Sequence, residues 1–191
     1  MRIAVDINHP AHVLFFRHAI ARLQEAGHAV RIVASEKDVS CRLLEAFGLP
    51  YVKIPGYGRS LGRKIIDLPR SDWRMLAAVR DFRPDLLLGL ASVRAAHAAF
   101  FLRRPCVVFD DSEHARWEVR LYLPFVKAVC TPSCYQRNLG RKQLRYDGYH
   151  ELAYLHPNQF TPDASVLERA GLSPREPMAL VRFVSWGAVH D

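Results

Sequence analysis

The sequence predicts an α/β fold, a parallel sheet flanked by helices. Three observations carry this reading. Short β-branched runs alternate with amphipathic segments, the pattern that yields parallel strands joined by crossover helices. Glycines close the first two amphipathic segments, at Gly27 and Gly48, and Pro50 and Pro84 precede apolar runs. The chain has 191 residues, 50% hydrophobic and 24% charged, an ordinary globular composition too long for one small domain and too short for two full ones.

The elements follow in order. Arg2–Ile7 reads as the first strand, and Ala11–Ala26 as a helix with Phe15, Ala19, Leu23 and Ala26 on one stripe and Gly27 as its left-handed cap. Val30–Ala34 is a second strand, Asp38–Phe47 a second helix, and Tyr51–Ile54 a short third strand. Pro55–Pro69 reads as a glycine-punctuated loop; between Tyr57 and Ile66 it mixes cations with large apolar groups, which suits either a loop with a partly buried helix start or an anionic membrane surface. Trp73–Phe82 is a helix, Asp85–Leu88 a strand, Ser92–Leu102 an alanine-rich helix and Cys106–Phe109 a fifth strand. Glu118–Tyr122 belongs to a helix, Ala128–Cys130 to a sixth strand, Ser133–Leu139 to a brief helix capped by Ser133, and Leu144–Tyr146 to a final strand. Trp73, Tyr122 and Phe125 are expected in the core.

Leu86–Leu102 is nearly long enough to cross a bilayer, but Gly89, Arg94 and His97 fit a buried strand turning into a core helix better than a span. Residues 1–149 are expected to form one domain and 150–177 a connecting segment. Ala179–Trp186 is an apolar strand with nothing to pair against, so 178–191 reads as the opening of a truncated second domain.

Charge narrows the partners. The formal net charge is +8, carried by 22 Arg and 5 Lys. Guanidinium forks favour phosphates and carboxylates, so an anionic ligand is expected. No Arg/Lys run exceeds two residues and no nucleic-acid-binding signature accompanies the charge, so no nucleic-acid partner is expected. Cys106 and Cys130 sit in apolar runs where a thiol packs as a small hydrophobe, and no second metal-like pair follows Cys130 and Cys134. Asp6 interrupts the N-terminal apolar run, which is unlike a signal peptide, so a cytoplasmic location is expected, with the 57–66 loop allowing peripheral attachment. Neither a Gly-x-Gly-x-x-Gly run nor a Walker loop is present, so no nicotinamide and no other cofactor is expected.

Chemistry in an open parallel sheet sits beyond the carboxyl ends of the strands. After the first strand come Asn8, His9, Pro10, Ala11 and His12: Pro10 suits a first helical turn, Asn8 or His9 suits its cap, and His9 ionises near neutrality, so it either caps or serves as a base. After the fourth strand, Gly89 allows close approach and Ser92 caps the next helix. After the fifth come Asp110, Asp111, Ser112, Glu113 and His114. Three carboxylates within four residues repel one another unless compensated, so they act as a general base or a sugar-hydroxyl clamp, hold a divalent cation, or serve as a solvated cap.

These same stretches carry a resemblance. Residues 1–13, Phe109–Ala115, Thr131–Tyr135, Glu151–Asn158 and Val181–Trp186 resemble the prokaryotic domain of unknown function 354. That group is similar in fold to GT-B glycosyltransferases and to the non-hydrolysing nucleotide-sugar 2-epimerases. The resemblance implies two Rossmann-like domains facing a cleft, of which this chain supplies the first, the second being met in cis or in trans. It implies a nucleotide-sugar and a small acceptor as ligands, with no metal as essential catalyst. His9, Glu113 and Asp111 are then the candidate catalytic residues, and Asn8, His12, Gly89, Ser92, Asp110 and His114 the candidate substrate contacts. Asn8, His9 and His12 occupy the loop where GT-B enzymes place acceptor contacts, and Glu113 matches a strand-five glutamate of the epimerases; the tandem Asp110-Asp111 departs from their pattern. Glycosyl transfer is the leading expectation, epimerisation of the sugar or a non-catalytic binding half the alternatives.

Overall fold

The computed structural model describes residues 1–36, 39–56, 61–173 and 177–181. Seven parallel strands form one sheet: β1 (Arg2–Ile7), β2 (Ala29–Glu36), β3 (Tyr51–Pro55), β4 (Leu86–Leu90), β5 (Cys106–Phe109), β6 (Ala128–Pro132) and β7 (Gln143–Tyr146). Their order is β3-β2-β1-β4-β5-β6-β7, so the chain winds outward from β1 and then returns to its other side. The helices are α1 (Pro10–Glu25), α2 (Ser40–Ala46), α3 (Leu61–Val79), α4 (Val93–Phe101), α5 (Arg116–Tyr122), α6 (Leu152–Leu155) and α7 (Ser165–Arg169). All seven strand positions expected within residues 1–149 are occupied, because near-continuous apolar runs are what a sheet covered on both faces requires.

The pleat divides β1 between two cores. Ile3, Val5 and Ile7 pack with Val13, Phe16 and Ile20 of α1 and Leu44 of α2. Ala4 faces Met75 and Val79 of α3 and the buried alanines Ala95, Ala96, Ala98 and Ala99 of α4. Small side chains let α4 approach the sheet closely, as the alanine-rich segment predicts. Leu86–Leu102 is a strand followed by a core helix, and among the described residues no helix is long and apolar enough to cross a membrane.

Three expectations are corrected. The loop expected to run to Pro69 is helical from Leu61, with Pro69 inside α3. One backbone hydrogen bond is forfeited there, while buried Met75 and Val79 downstream hold the helix to the sheet. Ser133–Leu139 is not a helix. Its carbonyls bond side chains instead: the Arg145 guanidinium donates to the oxygens of Ser133 (3.1 Å), Tyr135 and Arg137 (3.2 Å), and Gln143 Nε2 donates to Arg137 O at 3.1 Å. Trp73 lies on the surface, whereas Tyr122 is buried and Phe125 partly so. The Asp38 start of the second helix, residues 57–60 of the proposed membrane loop and most of the Ala179–Trp186 strand lie outside the described residues.

Candidate functional site on the carboxyl rim of the sheet

The side-by-side strands β1, β4 and β5 place the turns at Asn8–His9, Ala91–Ser92 and Asp110–His114 along one rim, where the sheet order reverses. His9 is the N-cap of α1: its backbone is extended and its Nδ1 accepts from Ala11 N at 3.2 Å. Pro10 follows in the first helical turn, where a missing N–H loses nothing. His12 is buried one turn further on, its ring centroid 5.9 Å from that of His9, and its Nδ1 has no hydrogen-bond partner. Burial pushes the His12 pKa down to about 4, with Asp6 opposing and His9 and Arg94 adding to the fall. At neutral pH the His12 ring is therefore neutral.

Beneath this turn lies a buried ion pair. Arg94 of α4 reaches Asp6 of β1 through Nη2 at 2.5 Å and Nε at 2.9 Å, and donates from Nη1 to Ser35 Oγ of β2 at 2.6 Å. Ser92 Oγ donates to Asp6 at 2.5 Å and accepts from Ala95 N at 3.1 Å, so it caps α4 as the sequence predicts and closes the network as well. The strand-four glycine has a steric reason: a Cβ on Gly89 would fall 2.5 Å from Ser92 Cβ. Gly89 and Ser92 thus lie under the rim, where they set the position of the α4 terminus.

The carboxylates after β5 separate. Asp110 is wholly buried, accepting from Ser112 N at 2.9 Å and from the Tyr122 hydroxyl, and burial raises its pKa. Asp111 is exposed at the rim; Ser112 Oγ donates to it at 3.1 Å, and His150 beside it holds its carboxyl below the usual range. Glu113 Oε1 accepts from Gln136 N at 3.0 Å, and its carbonyl accepts from Arg137 at 3.0 Å, bracing the turn against the β6–β7 connection. His114 is exposed on the way into α5. Among the described residues, no group of three His, Cys, Asp or Glu is placed to hold a metal ion.

His150 was not singled out by the sequence. It is buried beside Phe15 of α1, ring centroids 4.7 Å apart, and stacks with Tyr146 of β7 at 6.2 Å. Its Nδ1 lies 2.9 Å from Asp111 Oδ2, within ion-pair reach, and its Nε2 is buried with no hydrogen-bond partner. The Tyr146 hydroxyl is also buried without one. A groove of about 320 Å³ runs alongside, lined by Phe15, Phe109, Tyr146, Tyr149, Leu152 and His156. The sequence marks Asp6, Ser35 and Arg94 only weakly. Their signal was a lone cation in an alanine-rich helix and a lone carboxylate in an apolar strand, two charges that burial obliges to pair.

A protein of Methanocaldococcus jannaschii described as uncharacterized is 21% identical over 186 residues, covering 93% of this chain and 54% of its own length. The crystal structure of Acinetobacter baumannii MurG is similar with a TM-score of 0.62 at 16% identity, covering 78% of this chain and 46% of MurG. A crystal structure of UDP-N-acetylglucosamine 2-epimerase is similar with a TM-score of 0.67 at 10% identity, covering 90% of this chain and 55% of the epimerase. The chain thus spans about half the length of the relatives it matches, and its Rossmann-like fold is shared with GT-B glycosyltransferases and nucleotide-sugar epimerases. A family described as protein of unknown function, DUF354, matches residues 1–185, and the chain belongs to that family.

Proposed function

We propose that this chain is the acceptor-side half of a glycosyltransferase-like enzyme that uses a nucleotide-activated sugar. The observation that carries the reading is the rim itself. His9 and His12 at the α1 N-terminus, exposed Asp111 and buried His150 converge beside an aromatic groove, at the reversal point of a sheet of the GT-B type. In this reading His9, whose Nδ1 accepts from Ala11 N and whose Nε2 therefore carries the proton, donates from Nε2 to the donor's phosphate as the bond from the sugar to the leaving nucleoside diphosphate breaks. Neutral His12 offers hydrogen bonding without charge, and the helix terminus favours the anionic donor. Ionised Asp111 orients the acceptor hydroxyl and takes its proton as the acceptor oxygen bonds to the sugar, and a second domain closes the cleft from the nucleotide side.

The test is sugar transfer from a panel of nucleotide-sugars, with the chain alone and joined to the C-terminal half of a full-length family member. His9→Ala and Asp111→Asn are expected to lower kcat about 10²–10⁴-fold with the fold intact. Unchanged turnover in both variants would remove them from the mechanism. Epimerisation is the second reading, favoured by the extent of the epimerase similarity, which covers 90% of the chain. There Asp111 and Glu113 would handle protons on the sugar ring, and deuterium incorporated from solvent at the sugar C2 without transfer would select it.

A further inference from the structure

Away from the rim, on the face of the sheet covered by α3, α4 and α5, large apolar groups stand in solvent. Trp73 is 64% exposed, Phe100 58%, Phe101 65% and Trp117 73%. These helices are tied together outside the main core by one side chain. His97 of α4 lies 2.7 Å from Asp72 of α3 through Nδ1 and 3.1 Å from Leu121 O of α5 through Nε2. Trp73 adjoins Asp72 and Phe100 and Phe101 follow His97 by one turn, while half-exposed Leu121 is itself the acceptor. Phe125 bridges beneath, 4.8 Å from the His97 ring and 5.1 Å from that of Phe100. The exposed aromatics therefore belong to one helical layer.

The polar groups among them are mostly cationic, with half-buried Glu118, next to Trp117 on α5, an exception. On α3, Arg70, Trp73 and Arg74 share one exposed stripe at helical spacing. Arg103 and Arg104 are exposed just beyond α4, and Arg116 and Arg120 are exposed on α5, with the Arg120 guanidinium 5.0 Å over the Trp117 ring. The carboxylate of Asp72 is turned inward to His97, and Asp67 is engaged by Arg70 at 3.6 Å. A face that carries arginine and so little outward carboxylate repels a second copy of itself across a twofold axis. It complements an anionic lipid surface, where indole and phenyl rings settle among the headgroups and guanidinium groups meet phosphates. A large exposed apolar patch on a water-soluble surface requires an occupant.

We propose that the α3–α5 face docks the protein on an anionic lipid bilayer, through Trp73, Phe100, Phe101 and Trp117 with the surrounding arginines. None of these side chains belongs to residues 57–66, and the site does not rest on the catalytic reading of the rim. The experiment is flotation of the 191-residue chain with vesicles of phosphatidylglycerol and phosphatidylcholine, or of phosphatidylcholine alone, at low and high salt. Binding is expected only with the anionic vesicles, and salt is expected to weaken it. Trp73→Ala with Trp117→Ala, and separately Arg74→Glu with Arg120→Glu, should each reduce partitioning about tenfold or more. Since these side chains are exposed, circular dichroism and the melting temperature should not change, which separates loss of docking from unfolding. Failure to float with anionic vesicles overturns the proposal. So does full binding by both double variants, or a dimer in sedimentation analysis that the Trp variants dissolve.

Discussion

Asp6 and Arg94 are the residues whose pairing most constrains this molecule. Each is buried, and the pair is stitched to Ser35 and Ser92, so β1, β2 and the α4 terminus meet at one point. Removing one partner leaves a buried charge without compensation, so Asp6→Asn or Arg94→Met is expected to cost about 3–5 kcal/mol in chemical denaturation. A double replacement by apolar residues should recover much of that loss. His12 gives a pH signature of opposite character. Its folded pKa, about 4, lies below the ordinary 6.5 of a solvated histidine, so between these values the unfolded chain binds the proton and the folded chain does not. Stability is therefore lost as pH falls from 6.5 and the loss levels off near 4, reaching about 3 kcal/mol, a slope that His12→Phe should abolish in unfolding experiments. His9 and Asp111 were legible from sequence because they follow strand ends. His150 was not, because only tertiary packing brings position 150 against Phe15 and Asp111.

At the level of elements, the strands were readable and the segment between β6 and β7 was not. Apolar runs declare strands by composition, but Ser133–Leu139 carries a helix-like cap and length while its carbonyl oxygens are taken by Arg145 and Gln143 from the neighbouring strand. Arg145→Ala should therefore raise hydrogen exchange across residues 133–139 several-fold while β1 and β4 stay protected. Gly89 shows the same dependence on distant packing. Because a methyl group there meets Ser92 Cβ at 2.5 Å, Gly89→Ala is expected to destabilise by about 1–3 kcal/mol and to shift the α4 terminus. The tie between α3, α4 and α5 titrates. Asp72 raises the His97 pKa above the usual 6.5, so its contribution is complete below that value and is lost as pH rises through the folded pKa. Asp72→Asn should flatten the unfolding free energy over that range.

At the scale of the whole molecule, the sheet ends at β7, and α6 brings the following segment back over α1 through His150. Beyond His156 the described residues are largely exposed, with Leu180 and Val181 among them. Limited proteolysis is expected to cut first beyond residue 156, leaving a core whose melting temperature lies within about 3 °C of the intact chain. A trimmed core that melts well below that range would show that the segment from 157 onward is integral to the domain. Of the exposed apolar groups, Tyr149 and Leu152 line the groove, whereas those on α3–α5 stand among arginines on a separate helical layer.

The amino-acid sequence alone determined the parallel α/β architecture, the capping of α1 and α4 and the rim on which candidate groups gather, because periodicity, caps and strand ends are local properties of the chain. Tertiary structure decided which carboxylate after β5 is buried and which is exposed, that His150 joins the rim, that Arg94 finds Asp6, and that Trp73 faces outward. Those outcomes depend on contacts between residues far apart in the chain, and burial free energy is assigned only once the helices have chosen their faces.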